Sequence, residues 1–173
     1  MKKLATMALA GSLLLGGGAG AAHVFAKGDT EVKTASPYHE KALQKATFSE
    51  SLKKEFHEAS ELKYKQLGLK QEIVKLTDKL RDLHVDAVKN GNKTALKEAR
   101  KVKVKIKDIN KEIKQLNKTI HEERKALKEA VKAKNKETAR THLQKLNTLK
   151  TSVNKKLEQK VSFLNEMIDI LQK

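Results

Sequence analysis

The stretch Ala99-Arg100-Lys101-Val102-Lys103-Val104-Lys105-Ile106-Lys107-Asp108-Ile109-Asn110-Lys111-Glu112-Ile113-Lys114-Gln115-Leu116-Asn117-Lys118-Thr119-Ile120 decides how this chain folds. Its first part, Lys101 to Lys107, alternates basic and apolar residues with the period of a strand. Across the whole stretch Ala99, Val102, Ile106, Ile109, Ile113, Leu116 and Ile120 recur at alternating steps of three and four, the seam of a coiled-coil helix. The alternation lasts seven residues and has no partner strand in the chain, so the seam prevails. Its phase continues through Glu123 to Leu127 and Ala130, which predicts one uninterrupted helix despite the cap-like Asn117-Lys118-Thr119.

The same rhythm extends both ways. Upstream, Leu69, Ile73, Leu76, Leu80, Leu83 and Ala87 keep it, and an interior glycine, Gly68, marks a kink or frayed end. Downstream, Leu143, Leu146, Leu149, Val153, Leu157, Val161, Leu164, Ile168 and Leu171 keep a looser helical period. Asn90-Gly91-Asn92 and Lys134-Asn135 separate the three segments: Gly91 suits a left-handed helix end, and Asn92 and Asn135 suit N-caps. They lie in a weak repeat, Ala87 to Lys93 against Ala130 to Lys136, 43 residues apart. Helices at about 48–89, 93–133 and 136–172 follow, and such short connections make neighbours antiparallel. The expected fold is all-α, a long antiparallel three-helix bundle or coiled coil with a short N-terminal helix. Ser36-Pro37 starts that short helix, and Thr47 with Glu50 forms a capping box for the next.

The two turns set a register that places Ala59, Glu123 and Lys145 in one layer. Glu123 occupies a seam position, where an unpaired carboxylate is costly, so it should meet Lys145, His142 or Ser60. His57, His121 and His142 come to similar heights, but no two histidines have the spacing that puts both on one helical face. No metal site is assigned.

The ends of the chain speak to its compartment. Met1-Lys2-Lys3, an apolar run from Leu4 to Leu15 and Val24-Phe25-Ala26 read as a secretory signal cut after Ala26, with Ala19-Gly20-Ala21 as an earlier alternative. About 12 apolar residues fall short of the ~20 that a membrane-spanning helix needs. The domain reading is therefore signal peptide 1–26, disordered leader 27–35 and helical bundle 36–173. The 173 residues contain no Cys, which excludes disulfides, Cys-ligated zinc and thiol catalysis. With 34 Lys to 4 Arg the composition looks bacterial.

Formal charge is +17, of which Lys2 and Lys3 leave with the signal, giving +15. Much of it falls on the outward side of the middle helix: Lys103, Lys107, Lys111, Lys114, Lys118, Lys125, Lys128 and Lys132, with the acids of that helix set to either side. Like charges a turn apart weaken a helix, so helix stability does not account for this line. It points to an anionic cell-wall polymer or another polyanion. Sequence-specific nucleic-acid readout is not expected, because Lys outnumbers Arg and no aromatic interleaves the line to stack on bases. No phosphate loop, HExxH or GxSxG occurs, so neither an enzyme nor a cofactor is expected. The most apolar stretch after the signal, Phe163 to Leu171, offers Phe163, Met167 and Ile170 as a protein-binding surface and allows pairing into a homo-dimer.

A signal peptide followed by a small, Cys-free, Lys-rich chain of long helical hairpins resembles the Spy/CpxP group of extracytoplasmic stress proteins. The likeness covers most of the chain beyond the signal, in pattern only. Leu76-Thr77-Asp78-Lys79-Leu80 begins like the group's LTxxQ signature and has Leu where the group has Gln. The resemblance implies a helical dimer that holds unfolded or envelope proteins. The reading from the residues is a secreted, envelope-associated, non-enzymatic bundle that binds polyanions through its Lys line. A Spy/CpxP-like chaperone or protein-interaction module is the alternative.

Overall fold

The computed structural model describes residues 37–173. The expected signal peptide and leader, and the Ser36 cap, lie outside the described residues. Four α-helices account for nearly all of that span: α1 (Pro37–Glu50), α2 (Lys53–Lys89), α3 (Lys93–Lys132) and α4 (Lys136–Leu171). The alternating Lys101–Lys107 run is helical, as the longer seam required, and α3 passes through Asn117-Lys118-Thr119 unbroken. Pro37 opens α1, where its missing N–H is no loss.

Two local readings need correction. Thr47 caps nothing; its hydroxyl donates back to the carbonyls of Leu43 and Gln44 inside α1. The break falls five residues later at Leu52, which is fully buried against Ala130, Ala139 and Leu143. Burying that leucine decides where α1 ends, and α2 then starts at Lys53. Gly68 does not interrupt α2.

Both later turns have the same construction, which explains the 43-residue repeat. At the end of α2 the Asn92 N–H bonds to the Ala87 carbonyl at 2.9 Å and the Gly91 N–H to the Val88 carbonyl at 3.1 Å. At the end of α3 the Asn135 N–H bonds to Ala130 at 3.0 Å and the Lys134 N–H to Val131 at 3.1 Å. This double bond pattern is the Schellman motif, which needs a left-handed residue just past the helix. Gly91 (φ 67°) fills that place in the first turn and Lys134 (φ 55°) in the second. Each following Asn caps the next helix: Asn92 Oδ1 accepts from Ala95 N and Asn135 Oδ1 from Thr138 N, both at 3.0 Å.

Helix α4 holds the assembly together. It packs along both α3 and α2, whereas α2 and α3 touch little. Across α3 and α4, Glu112 pairs with Lys156, Asn110 with Lys160 and Lys105 with Glu166, so the α4 partner advances as the α3 residue retreats. Across α2 and α4 the pairs advance together: Glu55 with Asn147, Leu62 with Asn154, Lys65 with Glu158. The α3 seam is buried as read, with Val102, Ile106, Ile109 and Ile120 at its centre. Each such side chain contributes about 1.5–3 kcal/mol relative to exposure.

The contact between α2 and α4 has a different chemistry. Asn147 and Asn154, seven residues apart and buried, each send Nδ2 to a backbone carbonyl of α2, Glu55 and Leu62, at 3.0 Å. Their Oδ1 atoms are buried without a partner among the described residues. Asn147 also reaches the Glu58 carboxylate, and Arg140 meets Glu55 at 3.3 Å. Polar groups that bond only in one alignment fix how α2 lies on α4 at some cost in stability.

The charged layer at Glu123 forms as its seam position demanded. Glu123 accepts from His142 Nδ1 at 2.8 Å and pairs with Lys145, while Ser60 bonds within its own helix. Lys145 above all, and then His142, hold the Glu123 carboxyl below the usual carboxylate range, against the opposing effect of burial.

Candidate polyanion-binding face

Because α3 meets α4 through one seam, its opposite side is left to solvent. All eight lysines named for the basic line, Lys103, Lys107, Lys111, Lys114, Lys118, Lys125, Lys128 and Lys132, are exposed. Two are engaged: Lys111 with Asp108 and Lys132 with Glu129, each at 2.8 Å and one turn apart. The hydrogen bond from Lys132 lowers the Glu129 carboxyl. The other six make no ion pair among the described residues. From Lys107 to Lys132 the line runs about 37 Å along the helix, with a basic residue at nearly every turn. The acids that do pair across to α4, such as Glu112 with Lys156, sit beside the seam. Neutralisation therefore occurs at the edges and the outward line keeps its charge.

Not every residue of the line shares one direction. Lys103 lies a position to the side and borders a groove between α2 and α3. The outward place beside it belongs to Arg100 and to Val104, which is 58% exposed. Arg100 was absent from the sequence reading, although its spacing of seven from Lys107 carried the signal. Further along the same flank of α3, Arg124 approaches the half-buried Lys150 of α4. Burial lowers the Lys150 ammonium, and the charges of Arg124 and Lys63 add to the effect. The basic surface also turns the corner at the other end. There Lys41, Lys45, Lys134 and Lys136 ring a depression of about 650 Å³ that reaches Phe48 and Val131.

Phe163, Met167 and Ile170 are half-buried and pack against the core formed by Leu80, Ile106, Leu164 and Ile168. The Phe163 ring lies under the Lys105 ammonium, 5.3 Å from its centroid, a cation–π contact the sequence did not reveal. Each of the three keeps part of its surface exposed. His57 and His121 are exposed, apart from His142, which is held by Glu123. Among the described residues no group of three potential metal ligands forms, and no helix is long and apolar enough to cross a membrane.

Such a surface can attract and hold an extended anion without covalent chemistry. Its cations are exposed and mobile on flexible stems, so they favour a charged polymer over a ligand of fixed shape. Compared with family models, curated proteins and solved structures, the chain finds no match.

Proposed function

We propose that this chain is a secreted, non-enzymatic, antiparallel up-down-up bundle of bacterial origin that associates with the cell envelope by binding anionic wall polymer along α3. The observation that carries the reading is the run of exposed lysines along α3, six of the eight without an acidic partner among the described residues. Repulsion between like charges a turn apart opposes this arrangement, which argues for a use outside the fold. The lysines follow one another at roughly one helical turn, about 5 Å, a spacing that suits a polymer with repeated negative groups. Ordinary Coulomb attraction through water supplies the binding, which makes it salt-sensitive and indifferent to sequence.

The test is retention on isolated wall polymer, with heparin as a surrogate, measured across a salt series. Lys107→Glu, Lys114→Glu and Lys125→Glu together remove three exposed, unpaired cations. They should flatten the dependence of log affinity on log salt by about 2 or more. Elution of the triple variant at the wild-type salt concentration would refute the reading.

A second reading, a chaperone like the Spy/CpxP group, draws on the partial exposure of Phe163, Met167 and Ile170 beside the core. It expects suppression of a client's aggregation that survives the three Lys changes and disappears with Phe163→Ser and Met167→Ser.

A further inference from the structure

Because α2 and α3 both lean on α4 and hardly on each other, a groove of about 630 Å³ opens between them near the end of α4. Leu80, Leu164 and Leu171 form its floor, and Leu96, Met167 and Val85 keep apolar surface exposed along it. Cations stand on both walls, Arg81 on α2 and Arg100 and Lys103 on α3, with Lys160 at one end and the His84 ring beside Arg81. Among the described residues no carboxylate lines it. Arg81 shares its charge with Asp78 at 3.0 Å, both strongly exposed, and Lys160 bonds to Asn110. Arg100 and Lys103 have no acidic partner among the described residues.

We propose that this groove docks an acidic amphipathic helix of another protein. Three features select that occupant. The walls are helices whose backbone groups are already bonded within each helix, so an incoming chain must satisfy its own backbone, which a helix does. The lined span, from Leu96 to Ile106 on α3, is about 15 Å or three helical turns, with Arg100 and Lys103 along one side, Arg81 on the other and Lys160 at one end. A helix with apolar residues facing the floor and Glu or Asp on both flanks complements that pattern, as flanking charges do in coiled coils. A single-headed anionic lipid would answer the cations at one level only. A second copy of this chain, at +17, meets a basic rim with a predominantly basic surface.

The groove shares Arg100 and Lys103 with the basic surface of α3, but Lys107, Lys114 and Lys125 do not line it, and the test turns on that difference. The probe is a labelled synthetic peptide of about 18 residues, long enough to hold a helix, with Leu on one face and Glu on both flanks. A partner peptide carries Lys in place of Glu. Fluorescence anisotropy should show binding of the Glu peptide alone. Arg81→Glu with Arg100→Glu, one change per wall and both exposed, should weaken it about tenfold while the melting curve stays near wild type. Lys107→Glu, Lys114→Glu and Lys125→Glu should leave the peptide bound. The proposal is overturned if the Glu peptide fails to bind, if both peptides bind alike, or if the outer-face variant loses the peptide as much as the groove variant does. Displacement of the peptide by a fatty acid, or a dimer broken by the groove changes in light scattering, would assign the groove to those occupants and overturn it too.

Discussion

Lys134 holds a backbone conformation that Gly91 holds in the equivalent turn, and this contrast yields a stability prediction of defined sign. An L-residue in the left-handed region carries about 1–2 kcal/mol that glycine avoids. In Lys134→Gly the greater freedom of glycine in the unfolded chain cancels about 0.5–1 kcal/mol of that gain. The bond from Lys134 Nζ to Gln44, 3.0 Å long, is lost, but both groups are solvent-exposed and little goes with it. The net expectation is stabilisation by about 0.5–1 kcal/mol. With a urea m-value of about 2 kcal/mol/M, the midpoint rises by about 0.3–0.5 M, at unchanged m. The converse change, Gly91→Ala, has open space around the new Cβ, so any cost comes from φ 67° alone, about 1 kcal/mol. Urea titration followed by circular dichroism at the helix band reads both, since the chain has no Trp. A neutral Gly91→Ala, or a Lys134→Gly that unfolds earlier than wild type, would refute the account of the two turns.

Gly68→Ala should raise stability by about 0.5–1 kcal/mol, because the helix is continuous there and nothing lies within 4 Å of the added carbon; a lowered thermal midpoint would show that α2 needs the glycine. Glu123 has a folded pKa below its unfolded value, so the stability it contributes is present above the ordinary carboxylate range and is lost as pH falls through the folded pKa. Glu123→Gln should cost about 1–2 kcal/mol at neutral pH and flatten the acid limb of a urea-midpoint profile; an unchanged limb would place the acid sensitivity elsewhere. Asn147→Leu with Asn154→Leu should keep the helix content while loosening the alignment of α2 on α4. Cysteines at Lys65 and Glu158, whose side chains pair across the contact, should be joined by a short bifunctional maleimide in the parent and less in that variant; equal cross-linking would deny the asparagines an aligning role.

What could be read in advance follows from how many partners each helix has. Helix α3 buries one narrow seam against one helix, and a strict three-four rhythm is the mark of that environment. Helix α4 faces two neighbours, so its buried surface is wide, and its apolar period looks loose in the sequence. The unread part of that surface is polar: Asn147 and Asn154 look like solvated positions, and their burial depends on carbonyls of α2 more than eighty residues away. The same distance hid the partner of α2, which the turn assigns to α3 and the packing gives largely to α4. Thr47 misled because a local capping signal was weaker than the burial of Leu52. The basic line was legible because solvated lysines need no partner to be placed. The groove was not, since it exists only through the separation of two helices adjacent in sequence.

The central position of α4 also orders events in time. During synthesis α2 and α3 emerge first, and apart from their shared turn they have little to pack on until α4 follows. Each presents a half-hydrophobic helix with no lid, too weakly held to close on the other. Folding into the bundle is thus expected to wait for the last helix, and a chain cut before Lys136 should show no cooperative unfolding in urea. The arrangement that gives the finished protein its groove keeps the unfinished one unfolded.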